Sequence, residues 1–149
     1  MAIWFKTHLR RIVVRTATIR RLTQLILVEA GQPAADLSLS LVGKTRMRTL
    51  NRQYRGRDYP TDVLAFPMEQ IGSPATVFLG DVVICVPVAI GQAARFENTA
   101  DQELLRLLIH GTLHLLGYDH EESTREAMRM QRKERRIVKA LAPVPRLIL

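Results

Sequence analysis

The sequence predicts an α+β fold in which a small mixed β-sheet packs around a central buried helix. Three observations predict it. Residues 99–117, "TADQELLRLLIHGTLHLLG", carry apolar side chains around most of a helical circumference, the mark of a helix enclosed by the core. Three short extended runs, 37–42, 61–67 and 76–85, precede that helix. Helical and extended segments also alternate without a clean β-α-β repeat, so a mixed sheet is expected rather than an all-parallel one.

At 149 residues the chain fits one domain, able to bury about two-thirds of its unfolded surface. No repeat, low-complexity tract or linker divides it, so residues 1–149 read as a single unit. The lone cysteine, Cys85, excludes an internal disulfide framework and points to a reducing, cytoplasmic compartment. Its apolar surroundings make it a buried structural thiol. No stretch approaches the roughly 20 apolar residues that span a bilayer, so no membrane is expected as a partner.

The net charge of +8 falls into three clusters. Lys6, Arg10, Arg11, Arg15, Arg20 and Arg21 form the first. Lys44, Arg46, Arg48, Arg52, Arg55 and Arg57 form the second, with no acid among residues 44–57. The third, Arg125, Arg129, Arg132, Lys133, Arg135 and Arg136, is diluted by Glu126 and Glu134. Separated cations of this kind favour a polyanion, RNA or DNA, over an acidic small molecule.

The N-terminal cluster shares its composition with organelle transit peptides. However, "TIRRLTQLILVEAG" (18–31) reads as a complete helix with an apolar face of Ile19, Leu22, Leu25 and Ile26, ended by Gly31. It is therefore expected to be retained as the first helix of the fold. "LSLSLV" (37–42) alternates apolar and polar residues, as a half-buried strand does. "KTRMRTLNRQY" (44–54) places Met47, Leu50 and Tyr54 on one helical face and leaves most of its arginines outward. "TDVLAFP" (61–67) is a short strand stopped by Pro67. "TVFLGDVVIC" (76–85) is continuously apolar and therefore central, with Gly80–Asp81 marking a bulge or a close approach. The buried helix opens with a capping box from Thr99 to Gln102 and closes at Gly117, suited to a left-handed cap. "STREAMRMQRKERRIVKAL" (123–141) opens with Ser123 and Glu126 in the same capping pattern and is amphipathic and basic.

Three of the four histidines lie within "HGTLHLLGYDH" (110–120). Residues four apart on a helix project side by side, so His110 and His114 share one face. A turn after Gly117 can bring His120 back toward them. Three imidazoles with an open fourth position suit a catalytic zinc, although nickel or copper would fit similar ligands. His8, isolated near the N-terminus, reads as structural or solvated. A zinc protease of this spacing has the pattern H-E-x-x-H-x-x-G-x-x-H, with the Glu as general base. Here that position is Gly111, so the peptidase reading lacks its base. A phosphodiester asks for something different: a metal to polarise the phosphoryl oxygen and an arginine to balance the added negative charge. Asp119 reads either as an acceptor orienting a ligand imidazole or as a cap on the turn after Gly117. Asp62 and Asp81 read as structural acceptors.

The segment "HGTLHLLGYDH" resembles the signature of the YbeY endoribonucleases, H-G-x-L-H-L-x-G-Y-D-H, at every fixed position. "LNRQYRGRDYPTDVLAFP" (50–67) is similar to that family's L-N-x-x-Y-R…T-D-V-L-S-F-P block, and "LGDVVIC" (79–85) to its L-G-D-I-x-I-C strand. The blocks occur in family order over about half the chain. The resemblance implies a zincin-like fold and one zinc ion held by His110, His114 and His120. It also implies endonuclease activity on single-stranded rRNA of the small ribosomal subunit, in 16S rRNA 3′-end processing and ribosome quality control. It places the family's functionally important arginine on Arg55. Contacts with a ribosomal protein or a ribosome-assembly GTPase go with such a role. One position departs: the family's serine in T-D-V-L-S-F-P is Ala65, so a role for that hydroxyl does not carry over. Two rival readings remain, an RNA- or ribosome-binding assembly factor with a structural metal and a divergent zinc peptidase.

Overall fold

The computed structural model describes residues 2–68 and 77–149. Thr76, the first residue of the third expected strand, lies outside them. In chain order the elements are β1 (Ile3–Thr7), α1 (Thr16–Glu29), β2 (Asp36–Val42), α2 (Lys44–Arg55), β3 (Val63–Pro67), β4 (Phe78–Cys85) and α3 (Val86–Gln92). A 3₁₀ turn (Ala93–Phe96), α4 (Ala100–Leu115) and α5 (Thr124–Leu141) complete the fold. The sheet order is β1-β2-β4-β3, with β1, β2 and β4 parallel and β3 antiparallel against β4. The sheet is mixed, as expected.

The N-terminal third differs from expectation. β1, α1 and β2 make one β-α-β unit, because the basic N-terminal segment contains a strand that pairs in parallel with β2 from Ile3↔Leu37 to Thr7↔Leu41. Ile3 is buried and Trp4 exposed, a two-residue alternation too short to stand out among the surrounding cations. α1 belongs to the core, with Ile19, Ile26 and Leu27 fully buried. Leu25, assigned to its apolar face, is 37% exposed, and Thr23 and Leu27 turn inward in its place. A 14-residue helix covers one sheet with a narrow stripe, and position 25 falls outside it.

β4 is central, flanked by β2 and β3. Its pairing with β2 changes register between Asp36↔Phe78 and Ser38↔Asp81, so one extra residue is accommodated near Gly80. Gly80 has φ +134°, and a Cβ there would stand 2.1 Å from the Phe66 carbonyl oxygen. The bulge and the close approach are therefore the same feature.

α4 is the central helix. Leu104, Leu105, Leu107, Leu108, Ile109 and Leu113 are all essentially inaccessible, each contributing about 1.5–3 kcal/mol by burial. Its start carries the full capping box, Gln102 N donating to Thr99 Oγ1 at 3.1 Å and Thr99 N to Gln102 Oε1 at 2.8 Å. α5 begins with half of one: Glu126 N donates to Ser123 Oγ, while the Glu126 carboxylate pairs with Arg129 at 3.3 Å. α5 packs on α4 and α1, with Met130 and Ile137 buried in the shared core. Cys85 is buried and free, and burial pushes its thiol pKa up.

Candidate metal centre

His110 and His114 occupy the last turns of α4, where helical geometry sets them side by side. Gly117, at φ +96°, then reverses the chain, with Tyr118 N donating to Leu113 O at 3.1 Å. Asp119 Oδ1 accepts from Glu121 N at 2.8 Å and closes the following turn. That is the turn-capping role of its two candidate roles, and the tightened loop delivers His120 to the other two rings. His114 Nε2 stands 3.1 Å from His110 Nε2 and 3.1 Å from His120 Nδ1. Two nitrogens on one tetrahedral zinc at about 2.0–2.1 Å lie about 3.3 Å apart, so both spacings are compatible with shared ligation of one ion. Burial first, and then the neighbouring His110 and His120, hold the His114 pKa below the usual imidazole value, which favours the neutral, ligating form. Among the described residues these three histidines form one group able to hold a metal ion. His8 is not part of it; its backbone N donates to Leu41 O on β2.

His110 Nδ1 is paired with Glu134 Oε1 on α5. A carboxylate there accepts a hydrogen bond from Nδ1–H and leaves Nε2 facing His114, the arrangement by which a second group orients a ligating imidazole. Glu134 thus does for His110 what Asp119 was a candidate to do. The sequence did carry a signal for it: Met130, Glu134 and Ile137 recur at i, i+4, i+7, so a carboxylate sits within the buried stripe of a basic helix. Glu134→Ala is expected to weaken metal affinity about ten- to hundredfold in chelator competition, with the fold retained. Unchanged affinity would remove Glu134 from this role.

The histidines lie in a cleft of about 780 Å³, bounded by α2, β3, α4 and the 117–121 turn. Arg55 lines it from the last turn of α2, where Gly56 in a left-handed cap ends the helix. The structure divides the cations of residues 44–57. Arg48 makes a two-pronged contact with Asp58 at 2.8 and 3.0 Å, and Arg52 approaches the same carboxylate at 3.7 Å. Of that cluster, Arg55 and Arg57 line the cleft. Arg55 Nη2 is 3.8 Å from Glu121 Oε1, which is itself 3.7 Å from His120 Nε2, so arginine and histidine group face the same space.

A third cleft arginine, Arg106, was not singled out from the sequence. It lies one turn before His110 and donates through Nε and Nη2 to Glu103 at 2.6 and 2.9 Å. Glu103 is fully buried and also accepts from Gln92 Nε2 at 2.7 Å, which in turn donates to Asp62 Oδ2 at 3.0 Å. Asp62 is therefore a structural acceptor, as expected, and fixes the start of β3. Asp81 pairs with Phe66 and Ser38 in the sheet and does not line the cleft. Ala65, also a lining residue, brings no hydroxyl there.

The geometry defines a zincin-like α+β domain with a three-histidine group arranged to hold a metal ion in an arginine-lined cleft. The sequence profile of the Endoribonuclease YbeY family matches residues 6–142, and the chain belongs to that family, whose members are nucleases that hydrolyse RNA phosphodiester bonds. The Endoribonuclease YbeY of Sulfurihydrogenibium sp. is 42% identical over 109 residues, covering 73% of this chain and 72% of the relative. That of Halorhodospira halophila is 44% identical over 116 residues, covering 76% and 75%. That of Geobacillus thermodenitrificans is 41% identical over 133 residues, covering 81% and 85%. The solution structure of a Thermotoga maritima protein superposes with a TM-score of 0.63 at 28% identity, covering 92% of this chain and 87% of that one.

Proposed function

We propose that the protein is a zinc-dependent endoribonuclease that cuts single-stranded rRNA of the small ribosomal subunit, in 16S rRNA 3′-end maturation and ribosome quality control, in the cytoplasm. The observation that carries this reading is the meeting of three imidazole nitrogens, 3.1 Å apart across His114, with an otherwise weakly paired Arg55 in one cleft. His110, His114 and His120 would hold the ion, which when bound supplies Lewis acidity toward the phosphodiester and its nucleophile. The rest is the work of the chain. Glu134 fixes the His110 ring, so the nitrogen lone pairs meet without reorganisation. Arg55 neutralises the charge that grows on the phosphoryl oxygens as the bond breaks, a role a guanidinium suits because it is planar, cationic and offers several donors. Its contact with exposed Glu121, at 3.8 Å, is loose enough to yield to a phosphate. The outer basic clusters hold the RNA backbone by charge.

Gly111 argues against peptide hydrolysis, since the helix position that would carry a protease's glutamate faces Val82 and Val63 and has no room for one. With zinc-loaded protein, cleavage is expected for single-stranded RNA and absent for peptides; the reverse pattern would overturn the assignment. Arg55→Ala is expected to lower kcat/KM on RNA by about 10²- to 10³-fold, the scale of losing one preorganised transition-state donor, while leaving metal content unchanged. An Arg55→Ala enzyme as fast as the parent would assign the phosphate to another arginine. A nuclease-silent protein that still binds ribosomal subunits tightly would favour the assembly-factor reading.

A further inference from the structure

Three aromatic rings line the cleft among the described residues: Tyr54, Phe66 and Tyr118. Their surroundings differ. Tyr118 has the Arg129 guanidinium 4.5 Å over its ring, so a cation already occupies one face. Phe66 is partly buried and packed against Tyr54. Tyr54 is 65% exposed, although its position on α2 predicts a place on the apolar face with Met47 and Leu50. The inward position at that end of the helix is taken by Asn51, which is buried and donates through Nδ2 to Tyr59 O at 2.8 Å.

Tyr54 is exposed but not loose. Its ring meets that of Phe66 at 5.0 Å between centroids and 65° between planes. The T-shaped contact restrains the Tyr54 ring while leaving most of it exposed. The backbone beneath is fixed by the Gly56 cap, the Asn51–Tyr59 hydrogen bond and the Arg48–Asp58 fork. The next residue along the helix is Arg55, which faces the same cleft.

We propose that Tyr54 is a nucleobase-stacking platform, a subsite that receives the base of a nucleotide next to the scissile phosphate while Arg55 holds the phosphate. This inference rests on the nuclease reading above. An aromatic face binds any base that is free to stack on it, and bases within a duplex are already stacked on their neighbours. The platform therefore gives the cleft a physical preference for single strands without a preference for sequence.

The test uses the zinc-loaded protein and a short oligouridylate, compared with the same strand carrying one abasic nucleotide at each position in turn. Tyr54→Ala is expected to raise KM about ten- to hundredfold with kcat little changed, the scale of one lost stacking contact. Tyr54→Phe and Tyr54→Trp, which keep the ring, are expected to stay near the parent. One abasic position beside the cut should reproduce the defect in the parent and add nothing to it in Tyr54→Ala. Tyr54→Phe and Tyr54→Trp should melt with the parent, and Tyr54→Ala within a few degrees of it, since it loses only the edge-to-face contact with Phe66. Parent-like kinetics for Tyr54→Ala, an equal defect in Tyr54→Phe, or additive abasic penalties would overturn the subsite alone. A parent protein that neither binds nor cuts the strand would overturn the nuclease reading and the subsite with it.

Discussion

His114→Ala is expected to abolish metal binding and RNA cleavage together. His114 Nε2 stands 3.1 Å from the facing nitrogen of both other histidines, so its removal leaves His110 and His120 without their shared neighbour. Two ligands in place of three do not make a competitive zinc site in water. A Lewis acid stabilises developing charge by several kcal/mol, so cleavage should fall by at least about 10³-fold. The fold should survive, because alanine is the best helix former and His114 lies at the cleft rather than in the core. Metal per chain, read by elemental analysis, and cleavage should drop in parallel. Arg55→Ala provides the contrast, losing activity while keeping metal.

The second large effect concerns Gly111. Gly111→Glu rebuilds the protease pattern on paper, and the structure predicts that it destroys the fold instead. A Cβ at this position would lie 2.7 Å from Val82 Cγ1 and 3.2 Å from Val63 Cγ2, because α4 passes directly over β3 and β4 here. Adding one methyl to such a contact costs about 1–3 kcal/mol, the expectation for Gly111→Ala. A glutamate adds a longer chain and a carboxylate to the same crowded contact, a further cost of several kcal/mol. The sum reaches the whole stability of an ordinary domain. Gly111→Glu should therefore yield protein without a cooperative melting transition, while Gly111→Ala melts lower but folds. A folded Gly111→Glu protein with peptidase activity would refute this account of why the glutamate is missing.

Much of this was legible in the residues, and what was missed has a physical pattern. The buried helix, its caps, the central strand and the Gly80 irregularity declare themselves locally, through circumference, capping residues and a glycine in an apolar run. The three-histidine cluster was legible because helical spacing alone aligns His110 with His114, and a left-handed glycine returns His120. The misses depend on contacts between elements far apart in the chain. β1 becomes a strand only by pairing with β2, more than 30 residues away. Glu134 reads as one acid among many bases until α5 is laid across α4 and its carboxylate meets His110, 24 residues upstream. Arg55 was singled out by the family resemblance and not by residue spacing, because Asp58, which pairs with Arg48 and Arg52, acts through a turn no local pattern specifies. Leu25 and Tyr54 show the limit of periodicity: a helical stripe names the apolar face, and the width of the surface it meets decides which edge residues are covered.

The most direct measurement is a titration of zinc into metal-free protein, following RNA cleavage and bound metal in the same samples. Cleavage of a single strand is expected to rise with occupancy and saturate at one ion per chain, while His114→Ala remains silent throughout. Cleavage that is full in the metal-free protein, or that persists in His114→Ala, would contradict a metal-dependent mechanism.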